Sequence, residues 1–154
     1  MGEFLQPWHF IIVLFILGSA FLIFIIPGIF YVLTLQKALN KCAPQARTIQ
    51  PGLLWLFLIP LVNLVLNFFI VFGMANSLRN EFYRRGTPLP DPNPGQNIGL
   101  PMAICACCGF IPIIGMVAGI AYLVLWIMYW VRMAELSRLL DTQFAPPTAP
   151  APAV

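Results

Sequence analysis

Apolar residues fall in three long runs separated by short polar segments. No charged side chain occurs from Phe4 to Gln36, from Thr48 to Leu78 or from Pro92 to Val131, stretches of 33, 31 and 40 residues. A helix needs about 20 apolar residues to cross a bilayer, so each run is long enough. The first predicts a helix over about 8–26. Pro27-Gly28 interrupts it, and an amphipathic continuation to Lys41 carries Thr34, Lys37 and Lys41 on one face. The second predicts a helix over 53–75, kinked at Pro60 because proline removes a donor and clashes with the preceding turn, with a polar extension to Arg85. The stretch from Ile98 to Val131 would be about 51 Å long as one helix, against a hydrocarbon core of about 30 Å. It should therefore fold back at Pro112-Ile113-Ile114-Gly115, giving helices over about 98–111 and 116–131, the latter with its own polar extension.

Between these runs, Pro88, Pro90, Pro92 and Pro94 alternate with other residues and favour an extended connector over 86–97. The segment 145–154 is rich in alanine and proline and is expected to be disordered. The chain thus reads as all-α: a polytopic membrane domain over 1–144 with four transmembrane helices, the third and fourth a tight hairpin, followed by a Pro-rich tail. Ile59-Pro60-Leu61-Val62-Asn63 also echoes Ile111-Pro112-Ile113-Ile114-Gly115. Duplication of a helix pair and convergent composition both explain that echo, and convergence is the simpler account.

Composition points the same way. Of 154 residues, 60% are hydrophobic and 8% charged, against roughly 25% charged in soluble domains. A net charge of +3 with no basic run longer than Arg84-Arg85 argues against nucleic-acid binding. The ordinary explanation for the basic residues is membrane topology. With four crossings, five basic residues share one side with both termini and Lys37, Lys41 and Arg47 lie on the other. Trp8, Trp126 and Trp130 would then anchor one interface and Trp55 the other. The rival arrangement makes 53–75 a re-entrant hairpin bent at Pro60 and puts all eight Lys and Arg inside. Four crossings are the preferred expectation, because re-entrant backbone must be buried in protein or wetted by a cavity.

Chemistry-bearing residues are few. Asn63 and Asn67 share a helix face inside an apolar segment, where they either hydrogen-bond between helices or line a polar path. Met102, Cys105 and Cys108 offer soft ligands suited to Cu(I). Cysteines in this cluster also suit lipidation or plain packing, and packing is the favoured reading. Gly99, Ala103 and Cys107 form a small-residue stripe opposite Gly115 and Gly119, suited to close helix approach. Tyr122, Trp126, Tyr129 and Met133 lie near one face. His9, the only histidine, cannot hold a metal alone. No paired carboxylates, nucleotide loop, metal motif or Ser–His arrangement occurs, so no cofactor and no catalytic activity are expected.

The run Pro51-Gly52-Leu-Leu-Trp55-Leu-Phe-Leu-Ile59-Pro60-Leu-Val-Asn63, with Ile111-Pro112-Ile113-Ile114-Gly115, resembles a Pro-Gly…Trp…Ile-Pro-x-x-Asn pattern found in small bacterial inner-membrane proteins of uncharacterised activity. The resemblance covers about 25 residues. It implies a multi-helix protein of the bacterial inner membrane and supplies no site residues. The expected function is that of a non-catalytic accessory subunit or scaffold, partnered by lipid and by other membrane subunits or further copies of itself. A small oligomeric channel or transporter with its path at Asn63 and Asn67 is the alternative, and a lipid- or copper-handling protein is a third.

Overall fold

The computed structural model describes residues 7–89 and 91–142. Every regular element among them is helical: α1 (Pro7–Lys41), a 3-10 helix (Pro51–Leu58), α2 (Pro60–Arg85), α3 (Gln96–Cys108) and α4 (Pro112–Thr142). The Ala/Pro segment 145–154 lies outside the described residues, as do 1–6.

Proline and glycine set the boundaries. Ile59 is extended, at φ −89° and ψ 112°, the conformation that a following proline imposes. Pro60 then occupies the first helical position of α2, where its missing N–H costs nothing. Pro112 likewise begins α4. Gly86 closes α2 in the left-handed region (φ 67°), its amide donating to the carbonyls of Phe82 and Tyr83. Gly95 holds a second left-handed turn (φ 75°) immediately before α3. Neither angle suits a residue with a Cβ.

Three helices end together. Arg85 of α2 donates to the carbonyl of Lys41 (2.8 Å) and to that of Leu140 (3.2 Å). Lys41 donates to the carbonyl of Ser137 and pairs with Asp141. The C-terminal ends of α1, α2 and α4 therefore converge at one end of the bundle. The 42–50 loop lies there too, since Ala43 donates to Glu81 and Thr48 to Ser77. So does the start of α3, because Gly95 abuts Met133 and Tyr129. All eight Lys and Arg stand at this end, with Glu81, Asp91, Glu135 and Asp141.

From that end the chain makes two excursions of similar plan. A short descending helix leads through an Ile-Pro reversal into a long ascending one: the 3-10 helix with α2, then α3 with α4. The first is shallow on its descending side. Eight residues of 3-10 helix rise only about 16 Å, bringing Leu58 level with Gly28 of α1.

Several expectations are corrected by this arrangement. The helix expected over 53–75 is two elements, because Pro60 begins a helix here and does not kink one. Both arms of that hairpin open at the charged end, the geometry described for the re-entrant alternative, and four crossing helices are not confirmed. The expected break at Pro27-Gly28 is absent: α1 runs through Pro27. The third helix has 13 residues, too short for a full crossing. The fourth runs from Pro112 to Thr142, its polar extension in one piece with its apolar part. Among the described residues, two helices are long and apolar enough to cross a membrane, Leu61–Arg85 and Pro112–Thr142.

One apolar core joins these elements, with Tyr31, Leu35 and Leu39 of α1, Leu54 and Phe57 of the 3-10 helix, Ile70, Met74 and Leu78 of α2, Met102 of α3, and Tyr129, Met133 and Leu136 of α4. Much apolar surface remains outward. Leu61 is 81% exposed and Ile113 87%.

Candidate functional site

Polar chemistry is concentrated in two places. At the charged end, Glu81 is completely buried on α2. It accepts from Arg84 (2.7 Å) one turn ahead, from Arg85, and from the backbone N–H of Ala43 (2.9 Å). Arg84, foremost, holds the carboxyl at about 2 against its desolvation, with help from Ala43 and Arg85. Arg85 spends its remaining donors on the ends of α1 and α4. One carboxylate thereby fastens the end of α2 to the 42–50 loop and, through Arg85, to two further helices. Arg47 caps the carbonyls of Cys42 and Asn40. The Cys42 thiol is pushed up to about 12 by burial first and then by the neighbouring Glu81 charge, so it is inert toward thiolate chemistry. The cluster is saturated internally and works as a clasp.

The second concentration lies within the apolar part. A cavity of about 250 Å³ sits between the start of α2, the end of α3 and α4. Its lining includes Asn63, Cys105, Gly109, Phe110, Gly119 and Tyr122. Asn67, one turn further along the Asn63 face, is fully buried, and neither polar atom of its amide has a partner. The Asn63 carbonyl oxygen is also unpartnered, as are the Tyr31 and Tyr129 hydroxyls and the Trp126 indole N–H. Tyr31 and Tyr129 pack with ring centroids 6.3 Å apart, and Tyr31 and Trp126 at 5.4 Å. Several neutral donors and acceptors thus converge inside an apolar bundle, where unsatisfied polar groups are expensive.

The remaining candidates separate. Met102 is enclosed in the core, while Cys105 and Cys108 are half-buried and Cys107 is exposed. No group of three His, Cys, Asp or Glu suited to a metal occurs among the described residues. Gly99 does serve close approach, but toward Val71 and Tyr129: a Cβ there would stand 2.7 Å and 2.8 Å from them. Ala103 is buried, whereas Cys107 turns outward. Gly115 packs on the backbone of Gly109 at the reversal, and Gly119 faces open space. The two stripes therefore do not form one matched seam. Trp8 stacks on His9 near the start of α1. Trp130 donates to Thr34 (2.9 Å), 26 residues or about 39 Å further along the same helix. Trp8 and Trp130 thus cannot share an interface, which corrects that expectation. Trp126 and Trp130 lean inward on Tyr31, and Trp55 stays exposed.

Sequence reasoning missed Glu81 as the organiser of the charged end. Its i+3 and i+4 arginines were a readable signal, but the burial that gives them weight comes from the loop and from α1. It also missed Tyr31, whose partners are all distant in sequence. No match is found among protein-family models, curated proteins or solved structures.

Proposed function

We propose that the chain is a non-catalytic integral membrane protein that acts as an accessory subunit of a larger membrane complex. In this reading all eight Lys and Arg face the cytoplasm, which accords with the positive-inside rule, and the N-terminus lies across the membrane. α1 crosses fully, and the two hairpins enter and leave from the charged side. The clasp around Glu81 stands in the aqueous interface, beyond the uncharged stretch that ends at Leu78.

The observation that carries the reading is the reversal before α2. No side chain caps this helix start, so the N–H groups of Leu61 and Val62 lack helical partners. Leu61 is 81% exposed, and Ile59 and Trp55 beside it are 46% and 41% exposed. Lipid tails cannot satisfy irregular backbone, which is tolerated at membrane depth only against protein or in a wet cavity. A second membrane protein seated on the reversal removes that cost. The broad apolar face of α4 offers further contact, since helix association in lipid depends on packing.

The test is a photo-crosslinking residue in place of Leu61, used in cells expressing the full chain, followed by purification in mild detergent. The expected product is one discrete adduct with a different membrane polypeptide that also co-purifies at fixed stoichiometry. Crosslinks to lipid alone, with a monomer on the column, would overturn the reading. Adducts only between identical chains would favour a small homo-oligomer instead.

A further inference from the structure

The cavity at the inner end of the hairpins has a chemistry that association alone does not use. Its lining contains no charged side chain. Its polar groups are the Asn63 amide and the Tyr122 hydroxyl, which both donate and accept, and the weakly polar Cys105 thiol. Beyond Asn63, at the next turn of the same face, stands the enclosed and unpartnered amide of Asn67. The face continues to Val71, which meets Gly99 of α3. Along that face Asn67 lies between this contact and Asn63, and it is not part of the recess lining.

Position and size restrict the occupant. Asn63 is 18 residues below Glu81 and Tyr122 is 10 below Arg132, distances of about 27 Å and 15 Å along their helices. With a hydrocarbon core of about 30 Å, the recess lies within the apolar layer, displaced toward the side away from the charged end. Charged ligands are costly there without a counter-ion, and none is at hand. A volume of about 250 Å³ falls just short of the roughly 300–1,000 Å³ that encloses a drug-sized molecule. It admits a headgroup and leaves a tail outside, along Phe110 and Ile120, which are 69% and 68% exposed.

We infer that this recess binds the head of an uncharged lipid carrying a hydroxyl or carbonyl group, with Asn63 and Tyr122 holding the head. Gly119 lines the recess. A Cβ built there meets nothing within 4 Å, so the missing side chain leaves room for the ligand without a packing need for glycine.

The inference rests on the membrane placement proposed above, and its test separates the two. Membranes containing the full chain are labelled with a diazirine-bearing long-chain fatty alcohol, or with the matching diazirine alkane, and are extracted with alkaline carbonate before peptide mapping. The expected result is retention in the pellet with alcohol labelling concentrated in residues 105–122, at least fivefold above the alkane. Gly119→Leu, which fills the recess, should reduce that labelling at least fivefold, while Gly18→Leu, at a position outside the recess lining, keeps it within twofold. Asn63→Leu should erase the preference for the alcohol even if total labelling persists. Retention in the pellet with diffuse labelling, equal for both probes and unchanged by Gly119→Leu, would overturn the site and leave the placement intact. Release by carbonate would overturn both.

Discussion

Replacing Glu81 by glutamine keeps the side chain's size and removes its charge. The consequences can be worked out from its contacts. Glu81 is wholly buried, and its partner Arg85 is only 16% exposed, so Arg85 cannot turn to water when the carboxylate is lost. Arg84 is 52% exposed and can. Breaking a buried ion pair by removing one partner costs about 3–5 kcal/mol. Folding lowers the carboxyl from 4.5 to about 2. At about 1.4 kcal/mol per pH unit, that corresponds to about 3 kcal/mol at neutral pH. Glutamine still accepts from Ala43, which places the expected loss near the lower figure, a roughly hundredfold rise in the unfolding constant. The pH dependence has a definite sign. A depressed carboxyl contributes its full stabilisation above the unfolded value of 4.5, and that contribution fades as pH falls from there toward about 2. Unfolding of the purified chain in mild detergent, followed by tryptophan fluorescence between pH 2 and 8, should show wild type losing stability over that window. Glu81→Gln should be weaker at pH 7 and flatter below 4.5. Glu135→Gln is the control, because its pair with Arg132 is exposed at 29% and 57% and is worth about 0–1 kcal/mol. The clasp reading fails if Glu81→Gln costs no more than Glu135→Gln, or if wild type and variant share one pH profile.

Two further outcomes follow from the packing and the topology. Gly99→Leu should destabilise by about 1–3 kcal/mol through overpacking, since its Cβ alone meets Val71 at 2.7 Å and Tyr129 at 2.8 Å. Gly119→Ala should change stability by less than about 0.5 kcal/mol, as surface changes do, and equal effects in the same unfolding assay would refute the distinction. A cysteine introduced at the exposed Thr48 should resist an impermeant maleimide in intact cells and react after lysis, because the 42–50 loop stands with the basic residues. Labelling in intact cells would restore the four-crossing arrangement.

The helical class and the approximate positions of the reversals were legible in the sequence, for a physical reason. Uncharged length bounds how far a helix runs before it must turn, and Ile-Pro marks where it turns. The direction of travel was not legible, since Pro60 reads equally as a kink within one helix or as the first residue of a new one. The difference lies in Ile49 seated against Gly73, Thr48 bonded to Ser77 and Arg85 bonded to Lys41, contacts between residues 24 to 44 positions apart. The basic-residue count already favoured the hairpin, while the cost of re-entrant backbone argued against it. Both considerations survive in the fold: the charges gather at one end, and the reversal leaves the N–H groups of Leu61 and Val62 without helical partners.

The two excursions also give the Ile-Pro echo a structural content that composition alone lacked. Each descends from the charged end, reverses at Ile-Pro and returns through a Met-Ala pair, Met74-Ala75 or Met133-Ala134, to a charged terminus. The second copy carries Gly115 where the first carries Asn63. Gly115 sits on the Gly109 backbone, with 2.5 Å between a built Cβ and the carbonyl oxygen, and has no room for an amide. Asn63 instead opens on the cavity that the second hairpin encloses. The same reversal thus closes tightly in one copy and supplies a polar group in the other, so the polar recess arises from the difference between the hairpins and neither would form it alone.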